Sequence, residues 1–126
     1  MINFCFLMVL FICHWLADYT HLSTAWMLNA KRLGTPLLPI LAHASVHAFL
    51  MSISALCFGF ELSFIFKLFA FQLITHFLID VWKGKMNVWF PSLQNPVNKF
   101  HWYIFGFDQL LHALVIIVIC YFSYSS

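Results

Sequence analysis

Four pairs of imidazole and carboxylate side chains recur along this chain at a spacing of four: His14 and Asp18, His43 and His47, His76 and Asp80, Asp108 and His112. On a helix of 3.6 residues per turn each pair lies on one face, about one turn apart. Only His21, His101 and Glu61 among the His, Asp and Glu residues fall outside this set. Imidazole nitrogens and carboxylate oxygens are ligands for zinc, iron or manganese, and facing helices of a bundle are where such ligands are gathered. Eight groups exceed the four of a closed structural zinc site, which implies two ions, or one ion backed by Asp to His hydrogen bonds. The plain alternative is that the pairs are interhelical hydrogen bonds holding a bundle together. One pair would fit either account; four pairs favour the metal.

The elements that carry these pairs follow from composition. The 126 residues are 63% apolar, 20% aromatic and 8% charged, which is no soluble composition. Stretches of roughly 20 apolar residues suit transmembrane helices, and four of them are expected, over about residues 2–20, 36–58, 62–82 and 104–124. The expected fold is therefore an all-α integral membrane protein, a four-helix transmembrane bundle forming one domain over residues 1–126. Met1 to Phe11 has no basic leader, and His14 and Asp18 interrupt the apolar run, so the first span reads as retained rather than as a cleaved signal. Gly59 and Phe60 mark a tight turn, while His21 to Thr35 and Lys83 to Tyr103 read as longer loops with Gly84, Pro91, Asn95 and Pro96 as breakers.

Both long loops are basic, holding Lys31, Arg32, Lys83, Lys85 and Lys99, whereas Lys67 lies inside the third span. The positive-inside tendency makes the loops cytoplasmic and places both termini outside a bacterial cytoplasmic membrane. Trp82, Trp89, Trp102 and Tyr103 fit an interfacial belt. In an up-down-up-down bundle, pairs late in spans one and three meet pairs early in spans two and four. All eight ligands should then converge near the cytoplasmic face. Each ionised Asp in a bilayer costs about 2.5–3.5 kcal/mol at mid-span and less near an end, so three of them need a compensating partner.

The remaining residues carry less. Cys5, Cys13, Cys57 and Cys120 form no CxxC and read as small buried hydrophobes. His21, His101 and Glu61 read as solvated or interfacial. Lys31 and Lys83 are explained by the positive-inside tendency, with a functional alternative of holding an anionic headgroup or phosphate beside the metal. A net charge of +2 gives no argument for nucleic acid.

Several of these stretches resemble a known family. His14 through Asp18 with Tyr19, Trp26 and Met27 followed by Lys31, His43 through His47, His76 through Asp80 with Lys83, and Asp108 through His112 resemble short bacterial and phage membrane proteins grouped as domain of unknown function 3307. That resemblance implies no activity. A looser one, to membrane-bound metal-dependent hydrolases with repeated His-x-x-x-Asp helices, implies hydrolysis at a divalent transition metal, zinc ahead of manganese or iron. The N-terminal tryptophan ligand of the related all-helical zinc phospholipase fold has no counterpart here.

These readings converge on one expectation: a metal-dependent hydrolase acting on a phosphoester or related bond of a membrane lipid or amphiphile at the cytoplasmic leaflet. Such a metal acts as Lewis acid and lowers the pKa of its bound water to about 7. His14, His43, His76 and His112 would be terminal ligands, Asp80 and Asp108 ligands able to bridge, and Asp18 or His47 the acid/base. The alternatives are a non-catalytic metal-binding or metal-transport protein and a di-iron oxidase. The lack of Glu-x-x-His pairs counts against the usual di-iron bundle, and bis-histidine haem leaves three Asp residues unexplained.

Overall fold

Each helix begins where a cap or a turn residue permits it. In the computed structural model, which describes residues 2–125, Asn3 accepts from the Phe6 amide and opens α1, Phe4–Tyr19. Met1 and Ser126, the ends of the expected 1–126 domain, lie outside the described residues. Thr24 caps α2, Ala25–Leu33, by accepting from Met27 N. Pro36 precedes α3, Leu37–Cys57, whose Pro39 lies in the first turn, where amide N–H groups have no intrahelical acceptor. Gly59, at φ +79°, turns the chain into α4, Leu62–Trp89. A 3-10 turn, Pro91–Gln94, leads to Asn98, which accepts from Phe100 N at the start of α5, Lys99–Ser123.

The chain is all-helical, with five α-helices among the described residues rather than the expected four. α1, α3, α4 and α5 pack in a ring, each touching two of the others, and α2 lies against α3 and α4. Three of them, α3, α4 and α5, are long and apolar enough to cross a membrane. At 16 residues α1 is shorter than the span expected over 2–20 and reaches about 24 Å, less than a bilayer core of about 30 Å.

The expected loops are largely helical. α2 fills most of His21 to Thr35, because Thr24 and Gly34 supply both caps and Lys31 and Arg32 suit the negative end of the helix dipole. α4 runs past Trp82 to Trp89, and α5 starts at Lys99 instead of near Ile104. Gly84 does not break α4; it lies where the α2 terminus packs so closely that a Cβ there would meet Gly34 N at 2.1 Å and Lys31 O at 2.6 Å. Asn87 Nδ2 donates to Arg32 O at 3.0 Å, a second tie between the two elements.

One end of the ring is an apolar core that includes Phe6, Leu10, Met51, Ala55, Phe64, Leu68, Ile116 and Ile119. Toward the other end, Ala17, Ala44 and Ala48 are fully buried and let the helix backbones approach. The outward faces are apolar: Met8, Phe66, Ile74 and Tyr121 are each more than half exposed, while buried positions hold His and Asp. That inverts the pattern of a soluble domain and suits lipid contact. The four cysteines divide, contrary to a uniformly buried reading. Cys13 and Cys120 are buried, whereas Cys5 and Cys57 fall on the outer face.

Candidate metal centre

The i, i+4 pairs place two inward groups on each of α1, α3, α4 and α5, and the ring brings them into one cluster. His43, His47 and His76 are fully buried, and Asp80, Asp108 and His112 are at most 3% exposed. Asp18 Oδ1 lies 2.9 Å from His43 Nε2 and 3.1 Å from His47 Nε2, and those two nitrogens are 3.2 Å apart. Asp18 Oδ2 is 3.2 Å from His14 Nε2. Asp80 Oδ2 approaches His76 Nε2 to 3.2 Å, and His112 Nε2 lies 3.4 Å from both Asp80 Oδ1 and Asp108 Oδ1. The His47 and His76 rings stack at 3.6 Å, with His112 4.2 Å from His76.

Many of these close approaches are not hydrogen bonds. Both Asp80 oxygens, Asp108 Oδ1 and His76 Nε2 are buried without a hydrogen-bond partner among the described residues, although nitrogen and oxygen lie within 3.4 Å. An unpaired buried polar atom costs about 1–3 kcal/mol, more if charged. Lone pairs converging without donors are what a cation requires. Three groups of ligand atoms lie close enough together to hold one: Asp18, His43, His47 and His76; His14, His76 and His112; Asp80, Asp108 and His112. A cation about 2.0–2.1 Å from three ligand atoms sets them about 2.8–3.0 Å apart in an octahedral face and about 3.3–3.4 Å apart in a tetrahedral one. The Asp18, His43 and His47 triangle falls within that interval.

A family model described as "Protein of unknown function (DUF3307)" matches residues 6–126. The chain belongs to that family. The matched DUF3307 stretch contains all eight candidate ligands and both lysines beside them. No curated protein and no solved structure matches the chain.

Around the DUF3307 ligand cluster the structure adds groups that spacing did not single out. Gln72 Nε2 is 3.4 Å from His76 Nδ1, and Gln109 bridges by approaching His14 Nε2 at 3.4 Å through its oxygen and donating to Asp108 Oδ2 at 3.1 Å. Such contacts fix the orientation of ligands. Gln72 lies four residues before His76, so the helical period that relates His76 to Asp80 extends to it.

The two lysines differ in depth. Lys31 Nζ enters the cluster, 3.0 Å from His43 Nε2, 3.2 Å from Asp18 Oδ1 and 3.5 Å from Asp80 Oδ2. Burial alone would push its pKa down, but the Asp80 and Asp18 carboxylates outweigh that and hold it above the ordinary lysine value. Lys83 Nζ stays at the margin, 3.4 Å from Asp108 Oδ2 and 4.9 Å over the Phe105 ring. Both line a cavity of about 520 Å³ that reaches Asp18, Asp80 and Asp108, with Arg32, Asn87 and Trp102 on its walls. His101 Nδ1 approaches Leu93 O at 2.6 Å and ties the 3-10 turn to α5, while His21 and Glu61 are exposed.

Proposed function

We propose that this DUF3307 protein is a membrane-embedded metal-dependent hydrolase, four helices crossing the bacterial cytoplasmic membrane, that cleaves a phosphoester or related bond of a lipid or amphiphile at the cytoplasmic leaflet. The observation that carries it is the Asp18, His43 and His47 triangle beside a cavity that a headgroup can enter. A divalent metal, zinc ahead of manganese or iron, supplies Lewis acidity and a nucleophile at neutral pH. His14, His76 and His112 extend the ligand set, with Asp80 and Asp108 between them. His47, fully buried and away from the cavity, suits a ligand better than an acid/base, whereas Asp18 reaches the cavity and can handle a proton through Oδ2. Lys83, at the cavity margin, holds the anionic headgroup.

The test is incubation of zinc-loaded protein with phospholipid, polyprenyl-phosphate and lipid-linked sugar pools, followed by mass spectrometry for released headgroups. A zinc-dependent product supports hydrolysis. None from any pool, with zinc demonstrably bound, turns the reading to metal binding or transport. A transport path would have to cross the apolar core at the opposite end of the bundle, which offers no imidazole or carboxylate. Once a substrate is found, Lys83→Ala should raise its KM about tenfold and leave turnover and bound zinc near wild type, the result for a contact equal in ground and transition states. Lys67→Ala, at the other end of α4, should change neither.

A second reading has one observation in its favour. Two histidines and one carboxylate on a single face also suit non-haem iron. Iron rather than zinc in protein purified without added metal, with a visible absorption band, would shift the assignment to an oxidase.

The orientation has its own check. The basic residues around α2 and the end of α4 support a cytoplasmic Asn87 through the positive-inside tendency. Asn87→Cys, in a background without the outer-face Cys5 and Cys57, should resist impermeant thiol reagents in intact cells and react after permeabilisation, and Ser125→Cys should do the reverse. Labelling of Asn87→Cys from outside would invert the topology.

A further inference from the structure

We infer that the cluster holds one divalent metal ion per chain and that the Lys31 ammonium stands in for a second. The inference rests on the proposed metal site and settles its composition. Asp18 Oδ1 and His43 Nε2, 2.9 Å apart, form an edge shared by two triangles. His47 Nε2 completes one, at 3.1 and 3.2 Å, and Lys31 Nζ completes the other, at 3.2 and 3.0 Å. The metal belongs with His47. The single lone pair of His43 Nε2 goes to the metal, so the ammonium donates to Asp18 Oδ1 and faces Asp80 Oδ2, 3.5 Å away, the carboxylate that a second ion would need.

Ligand supply shows where the second ion would otherwise go. The three groups able to hold an ion are not independent, since His76 is common to the first two and His112 to the last two. The first and third share none, so a second ion would find its own ligands in Asp80, Asp108 and His112, the set whose Asp80 faces Lys31. Charge agrees: with the imidazoles neutral, as ligands must be, the Asp18, Asp80 and Asp108 carboxylates in ion-pair contact with Lys31 and Lys83 leave one negative charge in excess. One divalent ion turns that into a single positive charge, which an anionic substrate group cancels; two ions would leave a threefold positive excess in a site of low dielectric, where uncompensated charge is strongly disfavoured. Lysine suits the role because its ammonium is a compact point charge with three N–H donors. Its place is fixed from outside the bundle, because α2 is held against α4 at Gly34 and Gly84 and by Asn87.

The experiment counts zinc per chain by elemental analysis of full-length protein in detergent, dialysed against excess zinc and desalted. Wild type and Lys31→Arg should hold one. Lys31→Met should hold two, because Asp80, Asp108 and His112 are then free to bind the second ion, and adding Asp80→Asn to it should return the count to one or fewer. Lys83→Met should stay at one, since Lys83 touches only Asp108. Two ions in the wild type, one in a folded Lys31→Met protein, or two in Lys83→Met would each overturn the inference and leave the metal reading intact. No zinc in the wild type would overturn both. The wild-type count decides the question even if Lys31→Met does not fold.

Discussion

Asp80→Asn should lower zinc affinity by about 10–100-fold, the loss expected for a group that orients a ligand rather than binding the ion itself. Asp80 is 1% exposed and lies between His76, His112 and Lys31, at 3.2, 3.4 and 3.5 Å. Asparagine keeps its volume, so the change opens no cavity and the helices keep their packing. What it removes is one negative charge beside His76 and Lys31, and it points amide hydrogens toward the imidazole nitrogens it faces. His43→Ala, on a different helix, should exceed it, because His43 belongs to the triangle proposed to hold the ion. Competition against a chromophoric chelator measures both, with membrane insertion followed in parallel. Unchanged affinity in both variants would mean that the polar cluster is hydrogen-bonded glue for the bundle, with no metal function.

The candidate site was legible in the sequence to an unusual extent because two constraints coincide. A spacing of four fixes the face of a helix, and alternation of helix direction fixes the end of the bundle. His14 and Asp18 come late in α1 and His43 and His47 lie in the first half of α3, while the longer α4 and α5 leave His76, Asp80, Asp108 and His112 near their middles; the structure still brings all eight together. What was not legible depends on contacts between distant segments. Thr24 and Gly34 are both visible as caps, but nine residues are too few for periodicity to separate a helix from a basic loop. Gly84 reads as a breaker because its value lies in admitting the α2 backbone, which local sequence does not show. The same hidden contact conceals Lys31: charge patterning explains it as a cytoplasmic anchor, while α2 folds it back among the carboxylates. The outward cysteines are a failure of a different kind, since in lipid an apolar residue satisfies its surroundings on either face of a helix.

Gly84→Ala should be the most destabilising single-methyl change in the chain, and its cause is backbone against backbone. The added Cβ would lie 2.1 Å from Gly34 N, 2.5 Å from Gly34 Cα and 2.6 Å from Lys31 O, so no side-chain rotation can relieve it. Either α2 moves away from α4 or α4 distorts, and overpacking of this kind costs about 1–3 kcal/mol or more. Gly34 cannot yield by changing conformation, because its φ of +70° closes α2 through the bond from Gly34 N to Ala30 O at 2.8 Å. Gly106→Ala is the control: nothing lies within 4 Å of the added carbon in α5, and alanine should stabilise the helix by about 0.5–1 kcal/mol. Thermal unfolding in detergent should therefore move in opposite directions for the two variants. The consequence for the site separates this account from general damage. If α2 lifts from α4, Lys31 retreats from Asp18 and Asp80, and folded Gly84→Ala protein should take up more than one zinc per chain, as Lys31→Met does. A destabilised Gly84→Ala protein that still binds a single zinc with wild-type affinity would show that the position of α2 does not govern the occupancy of the carboxylates.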